Sequence, residues 1–507
     1  MTTKNVTSVL KSGKSYMYVD TGEPMRGGMK DVYFSPCKTY VVAFYRNKLD
    51  FNSKERLKLI ATTYRERFLE GENGDFWKTL YCWPYDVVEQ NGLTGIIVPA
   101  YDKRFFFKKG YSNNEILKGK EKQGKWFASA KFRAKSSRTR LDDSELGNWL
   151  SYFQVCVNIS RGVKRLHAAG LAHSDLSYTN VLIDPTTGAG ANIIDIDGLV
   201  VPGKFPPDVI GTADFIAPEV LATKHLPITD PNRKLPNIRT DLHALAVLIY
   251  MYLLYRHPLR GGKYFGPMDE QEEENFLMGS KALFVEHPSD ASNRNFKREY
   301  GDNQQKFLPW TDLDKTSYKI TGPYLEKLFE QAFIKGLHNP MERPPAVMWE
   351  DALIKTNDLK LQCSNSACDQ KWFIYTNTKN TVCPFCSTKY KGSIPVIDFF
   401  YQFRPNVWKP ENLRLVVYNN NTLHKWHVNK NIIRNEKLTN AQKNRVGYFS
   451  FHNNKWVLVN EKLPLLRDVT DNKEIPIGAM VELTNQKKLL LSTEEGGRVA
   501  VISIANI

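Results

Sequence analysis

A polar loop of eight residues, HSDLSYTN at positions 173–180, separates two apolar stretches of the chain. The loop contains Asp175, and Asn180 follows that aspartate by five residues. A second carboxylate, Asp195, comes fifteen residues after Asn180 and ends an apolar segment with strand character. Carboxylate and carboxamide oxygens are ligands that Mg²⁺ prefers, and a carboxylate can also accept a proton from a hydroxyl group.

These groups match the needs of phosphoryl transfer from ATP. That reaction requires metal ions on the phosphates, a carboxylate that orients the attacking hydroxyl, and shielding of the developing charge. We therefore expect Asp175 to accept the hydroxyl proton, and Asn180 and Asp195 to hold Mg²⁺ or Mn²⁺.

Four cysteines form a second candidate site. Cys363 and Cys368 have four residues between them, and Cys383 and Cys386 form a Cys-Pro-Phe-Cys motif after fourteen more. Four thiolates from two such turns are typical of a closed, tetrahedral, structural Zn²⁺ site. We expect no metal catalysis there, because a site closed by four cysteines has no open position.

The order of the motifs resembles the eukaryotic-type protein kinase fold over about residues 15–356. HSDLSYTN is similar to the kinase catalytic loop, and DID at 195–197 resembles its DFG element. GTADFIAPEV at 211–220 resembles the end of an activation segment, and RGGMKDVY at 26–33 resembles the glycine-rich loop of bacterial Ser/Thr kinases. The resemblance implies a bilobal kinase that transfers the γ-phosphoryl group of ATP to Ser or Thr of a protein substrate.

The resemblance also implies roles for supporting residues. Nucleotide binding is expected of the glycine-rich loop and of groups near the metals, which are Gly27, Gly28, Lys30, Ala43, Asn180 and Asp195. The remaining assignments concern the activation segment and its supports: Thr212 contacts the catalytic aspartate, Asp241 ties a buried helix to the catalytic loop, and Arg343 pairs with Glu219.

The cation that anchors phosphate departs from the family's pattern. The strand-three lysine of the family corresponds to Tyr45 in the stretch VAFY, which is followed by Arg46. The positive charge could come from Lys30, which replaces the third glycine of the loop, from Arg46, or from a basic insertion at 102–140. Glu66 is the expected pairing acid on the next helix, and Glu55 is the alternative.

A second acid stands near the metals, because Asp197 occupies the glycine position of the DFG element. Asp195 is the expected ligand, since the apolar strand runs straight into it. Asp197 either shares the metal, binds it through water, or is a turn residue.

Two further departures concern control. Ser174 replaces the arginine that grips a phosphorylated activation loop in the family, and Thr212 is the only hydroxyl residue between Asp195 and Glu219. We therefore expect a kinase that activation-loop phosphorylation does not switch.

The remaining pattern indicates an α+β multidomain chain. A helix is expected between the strands at 31–47 and 80–101, and another begins at about residue 144. The expected domains are a kinase N-lobe at 15–101, a C-lobe at 102–356, a zinc ribbon at 360–395 and an all-β sandwich at 396–507.

Composition and charge narrow the class. With 42% hydrophobic residues the 507-residue chain is not disordered, and its longest apolar run is too short to span a bilayer. Much of the net charge of +16 lies in the insertion at 102–140, which has 13 Lys/Arg, three acids and interleaved aromatics. A packed insertion is the favoured interpretation, and binding of nucleic acid is the alternative. No secretory signal is visible and the cysteines are clustered, so we expect a cytoplasmic protein without membrane contact.

The end of the chain is similar to the second half of forkhead-associated domains, which read phosphothreonine. Arg434, Asn435 and His452 are candidate contacts, and a sandwich used only for docking is the alternative. The order of kinase, four-cysteine ribbon and forkhead-like module resembles bacterial kinases of stress operons, including those associated with tellurium resistance. That resemblance implies a von Willebrand A-type protein and a metal-dependent protein phosphatase as partners.

Two other readings of the whole chain stay open at this point. Tyr45 at the lysine position favours a nucleotide-binding pseudokinase scaffold, although all three metal-site groups are retained. The basic insertion and the ribbon favour a nucleic-acid-associated binding protein.

Overall fold

A computed structural model of the chain describes residues 2–188, 190–201, 204–207, 209–227, 229–263, 266, 269–294, 296, 305–376, 381–404 and 407–506. Two compact units divide the chain. The first unit comprises Met1–Gly147, Gln154–Asp314 and Leu328–Glu350, and the second comprises Asn148–Phe153, Lys315–Lys327 and Asp351–Ile507. The second unit thus includes short segments that the sequence pattern assigns to the kinase C-lobe.

The first unit begins with seven strands rich in Val, Ile, Tyr and Phe, which favour extended backbone. They are β1 (Thr2–Thr7), β2 (Ser15–Asp20), β3 (Met25–Arg26), β4 (Lys30–Phe34), β5 (Tyr40–Tyr45), β6 (Asp86–Gln90) and β7 (Leu93–Pro99). Five of them form an antiparallel sheet in the order β3-β4-β5-β7-β6. Strands β1 and β2 form a hairpin whose Tyr16 and Tyr18 pack with Val42 and Phe44 of β5. The folded β-strands therefore start before position 15, whereas the sequence pattern begins the N-lobe at position 15.

The helical segment predicted between the strands is present and contains an irregularity. It consists of α1 (Phe51–Leu59), a π-helical turn (Ile60–Tyr64) and α2 (Arg65–Leu69), followed by α3 (Gly74–Leu80). The Asp50 side chain caps α1 by accepting a hydrogen bond from the Ser53 N–H. Leu57 and Ala61 pack against the face of β5 that carries Tyr45.

The basic insertion at 102–140 is folded. Its aromatic residues Phe105, Phe107 and Phe127 are buried, and most of its exposed surface is basic and polar. The buried Lys122 ammonium lies 2.9 Å from the Glu145 carboxylate and 3.5 Å from that of Asp184. This geometry agrees with the interpretation as a packed insertion.

The rest of the first unit is mostly helical, and three of the helices have residues in both units. The elements are α4 (Asp143–Leu146), α5 (Trp149–Ala168), β8 (Val181–Asp184), β9 (Gly190–Ile193), α6 (Pro218–Thr223), α7 (Ile238–Leu254), α8 (Glu270–Met278), α9 (Pro323–Glu330) and α10 (Ala346–Asn357). The prediction of one continuous helix from residue 144 is wrong. Gly147 has φ +61°, which lies outside the helical region, so the helix is interrupted between α4 and α5. A Cβ at Gly147 would also lie 2.4 Å from the Pro185 carbonyl oxygen. Within the described residues, no helix has the length and apolar character needed to cross a membrane.

The second unit also contains two groups of β-strands. The first group is the hairpin of β10 (Lys360–Gln362) and β11 (Trp372–Ile374). The later elements are β12 (Ser393–Arg404), β13 (Val407–Val416), β14 (Thr422–His424), α11 (Lys425–Val428), α12 (Asn440–Lys443), β15 (Arg445–His452), β16 (Lys455–Asn460), β17 (Arg467–Asp468), β18 (Lys473–Glu474), β19 (Met480–Glu482), β20 (Lys488–Leu490) and β21 (Arg498–Asn506).

These later strands form two antiparallel sheets. One has the order β13-β12-β21-β20-β17-β18, and the other has the order β14-β15-β16-β19. Side chains from both sheets, such as Phe399, Phe449, Leu458 and Ile502, form one apolar core.

The packing of the insertion gives a stability prediction. A Cβ at Gly124 would lie 1.8 Å from the Tyr252 hydroxyl and 3.0 Å from the Tyr178 carbonyl oxygen. We expect Gly124→Ala to lower the free energy of unfolding by about 1–3 kcal/mol through overpacking. Tyr252→Phe removes the hydroxyl that the new methyl group meets, so the double variant should recover part of the loss. Thermal melts of the three variants check this, and equal melting temperatures for Gly124→Ala and wild type would contradict it.

Candidate active site

A buried carboxylate holds the catalytic loop. Asp241, near the start of α7, accepts hydrogen bonds from the backbone N–H groups of His173 (2.7 Å) and Ser174 (3.0 Å). The His167 ring nitrogen lies 3.1 Å from the same carboxylate. Because Ser174 has a left-handed backbone (φ +69°), which costs conformational energy in a non-glycine residue, these bonds explain how the loop keeps its shape.

Asp175 is oriented through both of its carboxylate oxygens. The Thr212 hydroxyl donates to one of them at 2.6 Å, and the Asn180 amide donates to the other at 2.8 Å. The same amide also donates to the Asp175 backbone carbonyl. The carboxylate is only partly buried, so it remains accessible to a substrate hydroxyl.

Asp195 lies next to Asn180 because their neighbouring backbones pair. The Ile194 N–H donates to the Asn180 carbonyl (3.0 Å), and the His173 ring contacts the Ile194 carbonyl (2.9 Å). Asp195 has φ +60° and precedes a short 3₁₀ turn, Ile196–Gly198. Its side chain is 51% exposed, which leaves carboxylate oxygen free for a cation.

Lys30 reaches the site from β4. In the register of the hairpin, Lys30 lies directly opposite Tyr45 on β5. Residues directly opposite in antiparallel strands project to the same face, with Cβ atoms about 5 Å apart. The Lys30 ammonium therefore occupies the neighbourhood in which the family places its strand-three lysine.

The Lys30 ammonium is 2.6 Å from Asp197 and 3.0 Å from Asp195, and the Tyr45 hydroxyl donates to the same Asp197 oxygen. Burial opposes the charge on Lys30, but Asp197 and Asp195 outweigh it and raise the lysine pKa well above its usual value. Burial likewise opposes the charge on Asp197, yet Lys30 and Tyr45 hold its pKa below the ordinary value. The pKa of Tyr45 is raised by burial and by Asp197. Charged lysine, ionised aspartate and neutral tyrosine are therefore the stable forms near neutral pH.

Arg46 is not at the site. Its guanidinium donates to the carbonyl oxygens of Gly27 (2.9 Å) and Gly28, and it lies 3.4 Å from the Asp31 carboxylate. Its side chain thus closes the glycine-rich turn from the solvent side. The expectation that Arg46 supplies the phosphate cation disagrees with these contacts, because its donors are used by the loop backbone.

Glu66 is not at the site either. Its side chain is exposed on α2, and Glu55 forms an ion pair with Lys58 at 2.8 Å. In the described part of the chain, the partners of the Lys30 ammonium are Asp195 and Asp197. The expectation of a helix glutamate as the pairing acid is therefore not met, because the helix turns these acids towards solvent.

Apolar side chains surround the position expected for the base of a nucleotide. Ala43 packs with Tyr45 and Val98, and a second cluster next to it contains Cys82, Phe105, Leu182 and Ile194 with Val98 and Tyr101. Of these residues, the sequence motifs identified only Ala43. The sequence motif named Lys30 as a candidate cation, and the alternation along β4, which places Lys30 and Val32 on one face, was the signal for the direction of its side chain.

A buried arginine contacts the end of the segment at 211–220. The buried Arg343 guanidinium forms a two-pronged ion pair with Glu219, with distances of 2.8 and 2.7 Å. It also donates to the Arg239 and Gly336 carbonyl oxygens. Glu219 belongs to the first turn of α6, so this pair fixes the end of the segment.

The four cysteines converge. Their sulfur atoms all lie within 4.8 Å of one another, with 3.6 Å between Cys363 and Cys386 and 3.9 Å between Cys368 and Cys383. Four sulfurs at a bond length of about 2.3 Å around one tetrahedral Zn²⁺ lie about 3.8 Å apart. No pair is joined as a disulfide, so the donor set and its spacing fit a zinc ion.

The candidate phosphothreonine contacts have separate partners in the structure. Arg434 lies 3.5 Å from the buried Asp358 carboxylate, and Asn435 accepts the Lys437 N–H. His452 is exposed at the end of β15.

Comparison with known proteins finds similarity to protein kinases. A sequence model of the protein kinase domain matches residues 136–310. The chain is 29% identical over 144 residues to "Serine/threonine-protein kinase PkaB" of Streptomyces coelicolor, which is 26% of this chain and 31% of that protein. It is 30% identical over 121 residues to "Serine/threonine-protein kinase PSK1" of Saccharomyces cerevisiae, which is 22% of this chain and 8% of that protein.

The chain spans less than a third of the length of these curated relatives. Among solved structures, it is similar to a Toxoplasma gondii rhoptry antigen kinase domain, with a TM-score of 0.39 and 14% identity over 70% of this chain and 85% of that one. The matched part of the chain, residues 136–310, is similar to a protein kinase domain, and the matches support a protein serine/threonine kinase.

The cysteine cluster gives a metal prediction. We expect purified protein to contain about one zinc per chain by elemental analysis, because the four thiols match a single tetrahedral ion. Cys368→Ser should lose most of this zinc and lower the melting temperature, whereas Cys156→Ser, at a buried cysteine outside the cluster, should keep its zinc. Full zinc content in Cys368→Ser would contradict the assignment.

Proposed function

We propose that this protein is an ATP-dependent protein serine/threonine kinase. The observation that carries the proposal is the convergence of Asp175, Asn180 and Asp195 with the Lys30 ammonium. These groups provide a proton acceptor, two metal ligands and a phosphate-binding cation, which are the parts that phosphoryl transfer requires.

Asp175 is the catalytic base in this proposal. The hydrogen bonds from Thr212 and Asn180 hold its carboxylate in one orientation, so an acceptor hydroxyl docked against it meets a fixed proton acceptor. Asn180 and Asp195 would hold Mg²⁺, which supplies charge neutralisation on the phosphates when it is bound. The role of these side chains is to fix the position of the nucleotide and to exclude other geometries.

Lys30 is the phosphate-anchoring cation. Its half-buried ammonium contacts both acids of the 195–197 segment, and it projects from the face of the sheet that also carries Ala43 and Tyr45. A cation at that place can bind the phosphates of ATP, whichever strand carries it. This removes the main motive for a pseudokinase, which was Tyr45 at the family's lysine position.

Control of the kinase does not run through activation-loop phosphorylation. Thr212 is the only hydroxyl residue between Asp195 and Glu219, and its hydroxyl is bonded to Asp175. Ser174, which stands where the family has an arginine, is buried and has no positive charge to grip a phosphate.

The C-terminal modules extend the proposal. The cysteine cluster is a structural zinc ribbon, supported by its sulfur spacing, and the two sheets after it form a forkhead-associated-like β-sandwich, supported by their shared core. A von Willebrand A-type partner and a metal-dependent phosphatase partner follow from the resemblance of the module order. A cytoplasmic location follows from the clustered cysteines, and all three stay predictions.

Loss of the base tests the function. We expect wild type to transfer labelled phosphate from ATP to itself or to a generic Ser/Thr protein, and Asp175→Asn to reduce kcat by about 10²–10⁴. Asp143→Asn, at an exposed aspartate outside the loop, is the matched control and should keep its activity. ATP binding without any transfer by wild type would favour a nucleotide-binding scaffold instead.

Loss of the cation tests the anchor. We expect Lys30→Met to lower kcat/KM for ATP by about 10²–10³, because a preorganised charge next to the phosphates is lost. Arg46→Met removes a cation whose contacts are with loop carbonyls, so its loss should stay below about tenfold. The reverse order of the two effects in steady-state kinetics would show that Arg46 is the anchor.

A further inference from the structure

The two acids near Lys30 have different environments. The Asp195 side chain is 51% exposed, whereas that of Asp197 is 6% exposed. One oxygen of Asp197 already accepts hydrogen bonds from both Lys30 and the Tyr45 hydroxyl. Mg²⁺ keeps several water ligands, so it is better served by the exposed carboxylate than by the enclosed one.

The counter-charge of Lys30 comes from the segment after β9 and not from the helix beside the sheet. Glu66 is exposed on α2, and Glu55 is paired with Lys58. Asp197 lies 2.6 Å from the Lys30 ammonium and belongs to the 3₁₀ turn that begins right after Asp195. The proposed metal ligand and the partner of the lysine are thus separated by one residue, the fully buried Ile196.

Tyr45 completes this arrangement. It lies opposite Lys30 in the β4–β5 register, and its ring faces the ammonium with 5.3 Å between the nitrogen and the ring centroid. Its hydroxyl donates to the Asp197 oxygen that Lys30 contacts. Replacing the family's lysine by tyrosine therefore supplies a donor that orients the carboxylate.

We propose that Asp197 is a positioning residue that holds Lys30 in place for the nucleotide phosphates, with Tyr45 orienting Asp197. The inference rests on the proposed function and deepens it, because it names how the site is assembled. The 195–198 turn then supplies the carboxylate that pairs with the lysine, which the family takes from a helix glutamate. Movement of the α1–α2 helix therefore does not switch Lys30 between paired and unpaired forms.

A double-mutant cycle tests the proposal on the full chain. The variants are Lys30→Met, Asp197→Asn and the double variant, and the measurements are ATP affinity in EDTA by equilibrium binding and KM for ATP with Mg²⁺. We expect Asp197→Asn to weaken ATP binding about tenfold, because a charge-assisted bond to the cation is lost. In the Lys30→Met background the same change should have less than about a twofold effect, because Asp197 acts only through the lysine. Full additivity of the two changes would overturn the proposal.

A magnesium titration separates positioning from metal binding. Asp195→Asn should raise the Mg²⁺ concentration at half-maximal rate by about tenfold or more, whereas Asp197→Asn should leave it within about twofold. An equal rise for both variants would show that Asp197 is a metal ligand and would overturn the inference. Glu66→Gln is the matched control on the helix and should leave KM for ATP unchanged, and a loss similar to that of Asp197→Asn would also overturn the inference.

Two further measurements keep the test decisive. If melts show that Asp197→Asn is unfolded, Tyr45→Phe takes its place, since it removes one hydroxyl and keeps both charges; we expect a two- to fivefold rise in KM for ATP, about the loss of one hydrogen bond. No rise in folded Tyr45→Phe would count against the role of Tyr45. If wild type binds ATP without transferring phosphate, the proposed function fails while the binding cycle still tests Asp197; if wild type does not bind ATP at all, both fail.

Discussion

The site depends on a carboxylate buried at the start of α7. Asp241 accepts two backbone N–H groups of the catalytic loop, and a buried charge is tolerated only when such donors compensate it. The loop in turn depends on Asp241, because Ser174 has a left-handed backbone that these hydrogen bonds stabilise. Contacts with α7 therefore fix the positions of Asp175 and Asn180. One backbone hydrogen bond, from the Ile194 N–H to the Asn180 carbonyl, then holds Asp195 next to Asn180. A chain of short polar contacts thus connects the helix to Asp175 and Asp195, the two acids of the proposed reaction.

The N-terminal sheet has a different task, which is to bring one positive charge to this acidic edge. Electrostatics depends on where the charge lies and not on which strand carries it. Strands β4 and β5 pair so that Lys30 and Tyr45 lie opposite each other, and an exchange of the lysine between the strands moves the ammonium little in space. The exchange leaves a phenol hydroxyl at the old position, where it can donate to the enclosed Asp197 and helps to offset the cost of burying that carboxylate.

The sequence was most informative where residues act through short loops. The positions of Asp175, Asn180 and Asp195 follow from motif spacing, because few residues separate each from the strand or helix that carries it. The partner of Lys30 could not be read in this way, since it depends on strand register and on a contact between residues 167 positions apart. The helix acids were misassigned for a related reason. A π-helical turn at Ile60–Tyr64 shifts the phase of the helix between Glu55 and Glu66, and a regular 3.6-residue period does not reveal such a turn. The β1–β2 hairpin was also not predicted, because aromatic packing on β5 holds it and no sequence motif marks it.

The match to the protein kinase domain also covers the loops and leaves out the N-terminal sheet. It begins at residue 136 and so includes the proposed base, the proposed metal ligands and the segment at 211–220, but none of the N-terminal sheet. The matched part contains groups that must lie at fixed distances from one another, and substitution of Asp175, Asn180 or Asp241 would break a hydrogen bond to a charged atom. The unmatched part contributes one cation and an apolar lining, and several combinations of residues on two adjacent strands satisfy both. The sheet can therefore exchange its lysine and its tyrosine between the two strands. The condition is that a carboxylate from the other side of the site pairs with the ammonium, and Asp197 meets it.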